Sequence, residues 1–414
     1  MRWAALLHIY QPPHWDARVI AKVVSESYRP LVDILTRNPK IKITLNINAS
    51  LTEQLARHGY LDVIDGLRSL AERGQIEFTG SAKYHPILPL LPADEVRRQI
   101  RLNTETNRAL FGDIYRPRGF FPPEMAVDLD LIRILVEMGF EWVAVDELAG
   151  EKKLGDLPLN KKYLVEPFDI SLVLRNRFMS DYLAFAAPID KPGEFFAEVE
   201  KEKRSKEILI TAMDGENLGH HRPGTERLWE ELVTNPSVEM VTFTEALEGF
   251  STQEKLMVQE SSWSTRAIDR VRNAPYPLWQ HPENQLHQLQ WSLTTLIIEA
   301  INQAEKRSDH TIEQARIALD EALSSDQYWW ASATPWWSVE IINEGAERLG
   351  KVLEALSEVP PATQKEARQL IRSIRETSRR WQDKGVASQR MAEYNKETKQ
   401  VHYMAGQRID GSAK

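Results

Sequence analysis

The sequence predicts an α/β fold: a mostly parallel sheet of about seven strands, curled into an incomplete or distorted barrel and followed by an α-helical C-terminal region. Three observations predict it. Up to about residue 255, short apolar runs alternate with helical patterns, which implies parallel strands covered by helices. After about residue 256 the apolar residues keep helical spacing only. The length of 414 residues suits a barrel-sized unit plus a smaller one. Seven strand candidates are fewer than a regular eightfold barrel needs, and periodicity alone leaves a doubly wound open sheet as the alternative.

The predicted strands are Trp3–Ile9, Ile41–Ile47, Gln75–Phe78, Arg118–Phe121, Trp142–Val145, Ser171–Leu174 and Ile208–Ala212. Arg18–Thr36, Leu51–Arg73 and Ala93–Leu110 carry apolar residues three and four apart, and the last starts after Pro92, a helix-opening signal. The second region, 256–414, opens its helical pattern near Glu283, where Leu286, Leu289, Leu293, Leu296, Ile297 and Ile301 share one face. Ile312–Leu323, Ser338–Leu356 and Pro361–Trp381 follow, with Pro360-Pro361 separating the last two.

Composition narrows the function classes. A net charge of −8 argues against general nucleic-acid binding. From Pro361 onward twelve Lys or Arg stand against six Asp or Glu, so this segment carries +6 and the rest −14; a solvated helix face accounts for it. With no cysteine, disulfides, thiolate catalysis and cysteine-based metal sites are excluded. No apolar stretch is long enough to span a bilayer. The first residues read as a buried strand running into His8, without the long apolar centre and cleavage site of a signal peptide. A cytoplasmic protein with no membrane or nucleic-acid partner is expected, its oligomeric state open.

Two acidic residues end apolar runs: Glu124 in Gly119-Phe120-Phe121-Pro122-Pro123-Glu124, and Asp214 after Ile208–Met213. At the carboxyl ends of barrel strands both would face the mouth where chemistry is done. They lie ninety residues apart, so only the fold can unite them. Two carboxylates on one pocket are the minimal equipment for cleaving a glycosidic bond. His8 and His85 also fall at strand ends, suited to binding sugar hydroxyls or steadying a carboxylate. Together with Asp214 they could instead meet at a metal, although no compact ligand spacing supports zinc. Tyr328-Trp329-Trp330 and Trp336-Trp337 offer rings for stacking on pyranose faces, or for core packing.

These segments resemble glycoside hydrolase family 57, whose members act on α-glucans. The resemblance rests on five stretches in the family's order: His8-Ile9-Tyr10-Gln11-Pro12; Gly74–Phe78 running on to Tyr84-His85-Pro86-Ile87-Leu88; Gly119–Ala126; Asp214-Gly215-Glu216-Asn217; and Ser325-Asp326-Gln327-Tyr328-Trp329-Trp330. It implies a distorted seven-stranded (β/α) barrel with a helical region completing the substrate groove. It implies a retaining mechanism without metal or other cofactor, with Glu124 as nucleophile and Asp214 as general acid/base. It also implies sugar contacts at His8, Gln11, His85, Glu216, Asp326, Trp329 and Trp330, with an α-linked glucan as partner. The chain departs from the pattern at Tyr10, where many members carry a second histidine, and in Leu218-Gly219-His220-His221 after the Asp214 segment. Hydrolysis and transfer are both compatible with this equipment. The competing classes are a metal-dependent carbohydrate deacetylase or mannosidase-like enzyme, and a non-catalytic carbohydrate-binding protein.

Overall fold

The computed structural model describes residues 1–150, 154–205, 208–334 and 336–405. They form two compact units, Met1–Trp263 and Ser264–Lys414.

The first unit holds ten strands among the described residues: β1 (Arg2–Ile9), β2 (Ile43–Ile47), β3 (Ile76–Phe78), β4 (Gly119–Phe120), β5 (Trp142–Asp146), β6 (Lys162–Val165), β7 (Ser171–Arg175), β8 (Ile208–Asp214), β9 (Glu239–Val241) and β10 (Gln253–Leu256). They make two sheets, ordered β3-β2-β1-β8 with β9 also on β1, and β10-β6-β7-β5-β4. The pairing is parallel except between β6 and β7.

All seven expected strands form, because each apolar run is buried on both faces. Along β1, Trp3, Ala5, Leu7 and Ile9 enter the core under the helices. Ala4 and Leu6 point the other way, into an inner cluster with Trp142 and Ala144 of β5, Val173 of β7, and Ile208, Ile210 and Ala212 of β8. Inward side chains from both sheets share one interior, so the sheets curl around it. Gly80 N–H donates to Gly119 O (2.8 Å), Phe121 N–H to Gly80 O (2.9 Å), and Asn176 N–H to Ile210 O (2.8 Å), tying one sheet to the other. Position 119 admits only glycine, since a Cβ there would lie 2.0 Å from the Trp142 ring.

A helix, Phe243–Glu248, lies against the amino ends of the strands. A capping box of Thr242 and Glu245 starts it, and Phe243, Ala246 and Leu247 fill the inner cluster. Thr244 Oγ1 donates to Glu77 and accepts from Trp142 Nε1 at 3.0 Å. With this end filled, the carboxyl ends of the strands are left for the site.

Strands β6, β9 and β10 were not anticipated; the first unit runs to Trp263. The expected helix Leu51–Arg73 is two, Ala49–Arg57 and Leu61–Glu72, parted by Gly59 in a left-handed conformation (φ 81°).

The second unit is helical, built on Gln285–Lys306, Ile312–Ala322, Val339–Glu354 and Pro361–Asp383 as expected, with Asp326–Trp330 as a short helix and Val386–Ala405 at the end. Among the described residues no helix is long and apolar enough to cross a membrane.

Candidate active site

Glu124 follows β4 through Phe121-Pro122-Pro123, whose fixed proline torsions lead into a tight turn, Pro123–Met125. Both Glu124 (φ 60°) and Met125 (φ 49°) are left-handed, a conformation that non-glycine residues adopt at a cost. Hydrogen bonds hold it: Met125 N–H to Pro122 O (2.8 Å), and Trp263 N–H to Glu124 O (3.0 Å). The Glu124 carboxyl accepts the Trp263 indole N–H on Oε2 (2.7 Å), and its Oε1 lies 3.8 Å from His85 Nδ1.

Asp214 ends β8, in register with His8 at the end of β1, and His8 in turn faces Asn46 of β2. Asn46 Nδ2 donates to Thr79 Oγ1 (2.9 Å), so its Oδ1 accepts the proton of His8 Nδ1 (2.6 Å). That leaves His8 Nε2 as an acceptor for His85 Nε2, 3.2 Å away. Burial lowers His8 to about 4, against the hydrogen bond to Asn46. Burial and the neighbouring His8 hold His85 well below the usual histidine range. Both rings are neutral at pH 7. They stack at 5.1 Å between Phe121, 4.7 Å from His8, and Tyr10, 4.1 Å from His85.

Burial pushes the Asp214 carboxyl up to about 6, with the nearby Arg175 cation opposing it. Burial and the Asp214 charge push Glu216 up to about 8. Its Oε1 accepts from Tyr28 Oη (2.5 Å), Tyr10 N–H (3.1 Å) and Gln11 Nε2 (3.4 Å).

His8, Gln11, His85, Glu124, Asp214 and Glu216 thus form one connected group at the carboxyl ends of the strands. Asp326, Trp329 and Trp330 belong to the second unit. There Asp326 accepts from Ser324 Oγ (3.0 Å), and the half-buried Trp329 and Trp330 rings lie 5.6 Å apart at 72°. Tyr328 beside them is core, stacked on Trp291 at 4.4 Å and bonded to Thr294.

The group also contains residues that sequence reasoning missed. Arg175 ends the run Ser171–Leu174 as Asp214 ends its own, so the same rule would have found it. Tyr28 arrives from within a helix and Trp263 from beyond the expected boundary, and neither carries a local signal. Among the described residues no set of three His, Asp or Glu could hold a metal ion. His8, the shared member of the imagined ligand set, has one ring nitrogen on Asn46 and the other on His85.

The profile of glycosyl hydrolase family 57 matches residues 4–259, more than half of the chain, and the chain belongs to that family. It is 26% identical over 261 residues to the 4-alpha-glucanotransferase of Thermococcus litoralis, covering 59% of this chain and 38% of that protein. It is 26% identical over 260 residues to an alpha-amylase of Pyrococcus horikoshii, covering 59% and 40%. The match therefore spans about two fifths of the length of these curated relatives. In three dimensions the chain is similar to a GH57-type branching enzyme from Pyrococcus horikoshii, with a TM-score of 0.68 at 16% identity over 90% of this chain and 94% of that one. That likeness establishes a shared fold.

Proposed function

We propose that this chain is a glycoside hydrolase or glycosyl-transferring enzyme that acts on α-linked glucans through a covalent glycosyl-enzyme intermediate. Glu124 attacks the anomeric carbon while Asp214 gives its proton to the departing glycosidic oxygen. Asp214, now a carboxylate, takes a proton from water or from an acceptor hydroxyl, which displaces Glu124 from the sugar. The observation that carries this reading is the unlike setting of the two carboxyls. Glu124 receives an indole N–H, a partner for an anion, whereas burial raises Asp214 to about 6, suiting it to hold a proton.

Membership of family 57 supports the glucan assignment. The seven predicted strands read as one distorted barrel, supported by the hydrogen bonds at Gly80 and Asn176 that join the sheets. The second unit would complete the substrate groove, with Asp326 accepting a hydroxyl and Trp329 and Trp330 stacking on sugar. The metal-dependent and non-catalytic alternatives are not favoured, since the family match supports neither.

The test is incubation with a panel of α- and β-linked oligosaccharides, resolving product length and anomeric form, alongside Glu124→Gln and Asp214→Asn. Shorter products of retained anomeric form indicate hydrolysis and longer ones transfer, and each variant should lose about a thousandfold or more in kcat. Turnover confined to β-linked substrates would overturn the glucan assignment. Full turnover by Glu124→Gln would overturn the mechanism.

A further inference from the structure

The buried guanidinium of Arg175 contacts the strand that carries Asp214 and the tryptophan that holds Glu124. On one side its Nη1 donates to Ala212 O (3.2 Å), two residues before Asp214 on β8. On the other, its Nη2 reaches Trp263 O (3.5 Å), and its guanidinium carbon lies over the Trp263 ring, 5.6 Å from the centroid. Trp263 is the residue whose indole N–H and backbone N–H both bond Glu124. The guanidinium is itself immobilised: Nε donates to the buried Asp146 (2.8 Å) and Nη1 also to Asp181 (3.1 Å). Asp146 is fixed in turn by Arg177, whose Nε lies 2.8 Å from its Oδ2.

We propose that Arg175 is a positioning residue that couples the two carboxyls, its guanidinium bracing the strand end that carries Asp214 and holding Trp263 on Glu124. This rests on the roles assigned above to Glu124 and Asp214. A fork with five donors on a planar cation can serve carbonyls, carboxylates and a ring together, which an ammonium cannot. The charged and titratable groups that bear on Asp214 are His8, in register with it on β1, Arg175 on β7, and Tyr28 and Glu216. Both histidines of the site are neutral, and Arg177 is bound to Asp146. Arg175 is therefore the cation placed to act on Asp214, and its loss should make Asp214 hold its proton to higher pH.

The experiment titrates Asp214 by 13C-carboxyl NMR, with no substrate present, in the native protein, Arg175→Met and Arg175→Lys. It also measures kcat on a maltooligosaccharide for these proteins and for Trp263→Phe. Removing the charge in Arg175→Met should raise the Asp214 titration by about one pH unit or more. Arg175→Lys should leave the titration near its native position yet lose about tenfold in kcat, because the fork is gone. Trp263→Phe, which leaves the guanidinium on its carboxylates, should also lose about tenfold in kcat with the Asp214 titration unmoved. An unmoved titration in a folded Arg175→Met, or native kcat in Arg175→Lys or Trp263→Phe, overturns the proposal. Should Arg175→Met not fold, the other two variants decide. Failure of the parent reading looks different: Glu124→Gln would turn over at the native rate, while the substrate-free titration would still report whether Arg175 acts on Asp214.

Discussion

Glu216 is a carboxyl in a place that disfavours its charge. Buried beside Asp214, it holds its proton to about pH 8 against an ordinary value of 4.5. Folding therefore retains a proton that the unfolded chain releases in that interval. For an acid whose folded value is raised, the folded state binds more protons, so the contribution of Glu216 to stability falls as pH rises from 4.5 to 8 and is flat on either side. Glu216→Gln keeps an oxygen for Tyr10 N–H, Gln11 and Tyr28 and has nothing to titrate. Its melting temperature relative to the native protein should rise through this interval, with a constant offset below pH 4.5. Thermal unfolding at pH 4, 6 and 8 checks this, and an offset that stays the same at all three would refute it.

At the scale of elements, the Thr244 hydroxyl is one of the ties that fasten the helix Phe243–Glu248 to strand ends. Thr244→Val preserves its shape but leaves the Trp142 indole N–H without its acceptor and takes a donor from the buried Glu77. Denaturant unfolding should show a loss of about 2 kcal/mol or more, and Thr244→Ser should restore most of it. The strands that were legible in the sequence are those buried on both faces, such as Trp3–Ile9, whose apolar run needs no partner to be recognised. The missed β10 is made by pairing alone: Gln253-Glu254-Lys255 is exposed and polar, and only β6 makes it a strand. Apolar spacing ran unbroken across Gly59, so periodicity joined two helices that a left-handed turn separates. The site divides in the same way. Glu124, Asp214, His8 and His85 follow apolar runs that announce strand ends. Tyr28 reaches Glu216 across 188 residues, and Trp263 reaches Glu124 across 139; nothing near either in the chain tells of that contact.

At the scale of the molecule, the two units divide at Trp263, and Trp263 itself bonds Glu124. A fragment 1–263 keeps both carboxyls with their immediate partners. If the second unit supplies the groove as proposed, this fragment should lose activity on oligosaccharides at least a hundredfold while Asp214 still titrates near its native position. Full activity of the soluble fragment would show that Asp326, Trp329 and Trp330 are dispensable. The turn at Glu124 has a wider consequence. Its backbone adopts a shape natural to glycine, at a cost of about 1–2 kcal/mol for any other residue but asparagine or aspartate, so conformation and chemistry pull position 124 in opposite directions. On the proposed mechanism, selection for turnover keeps the glutamate there. In a lineage released from that selection, glycine or asparagine would be a stabilising replacement, and this position would be among the first to change, erasing the catalytic signature while the fold became more secure.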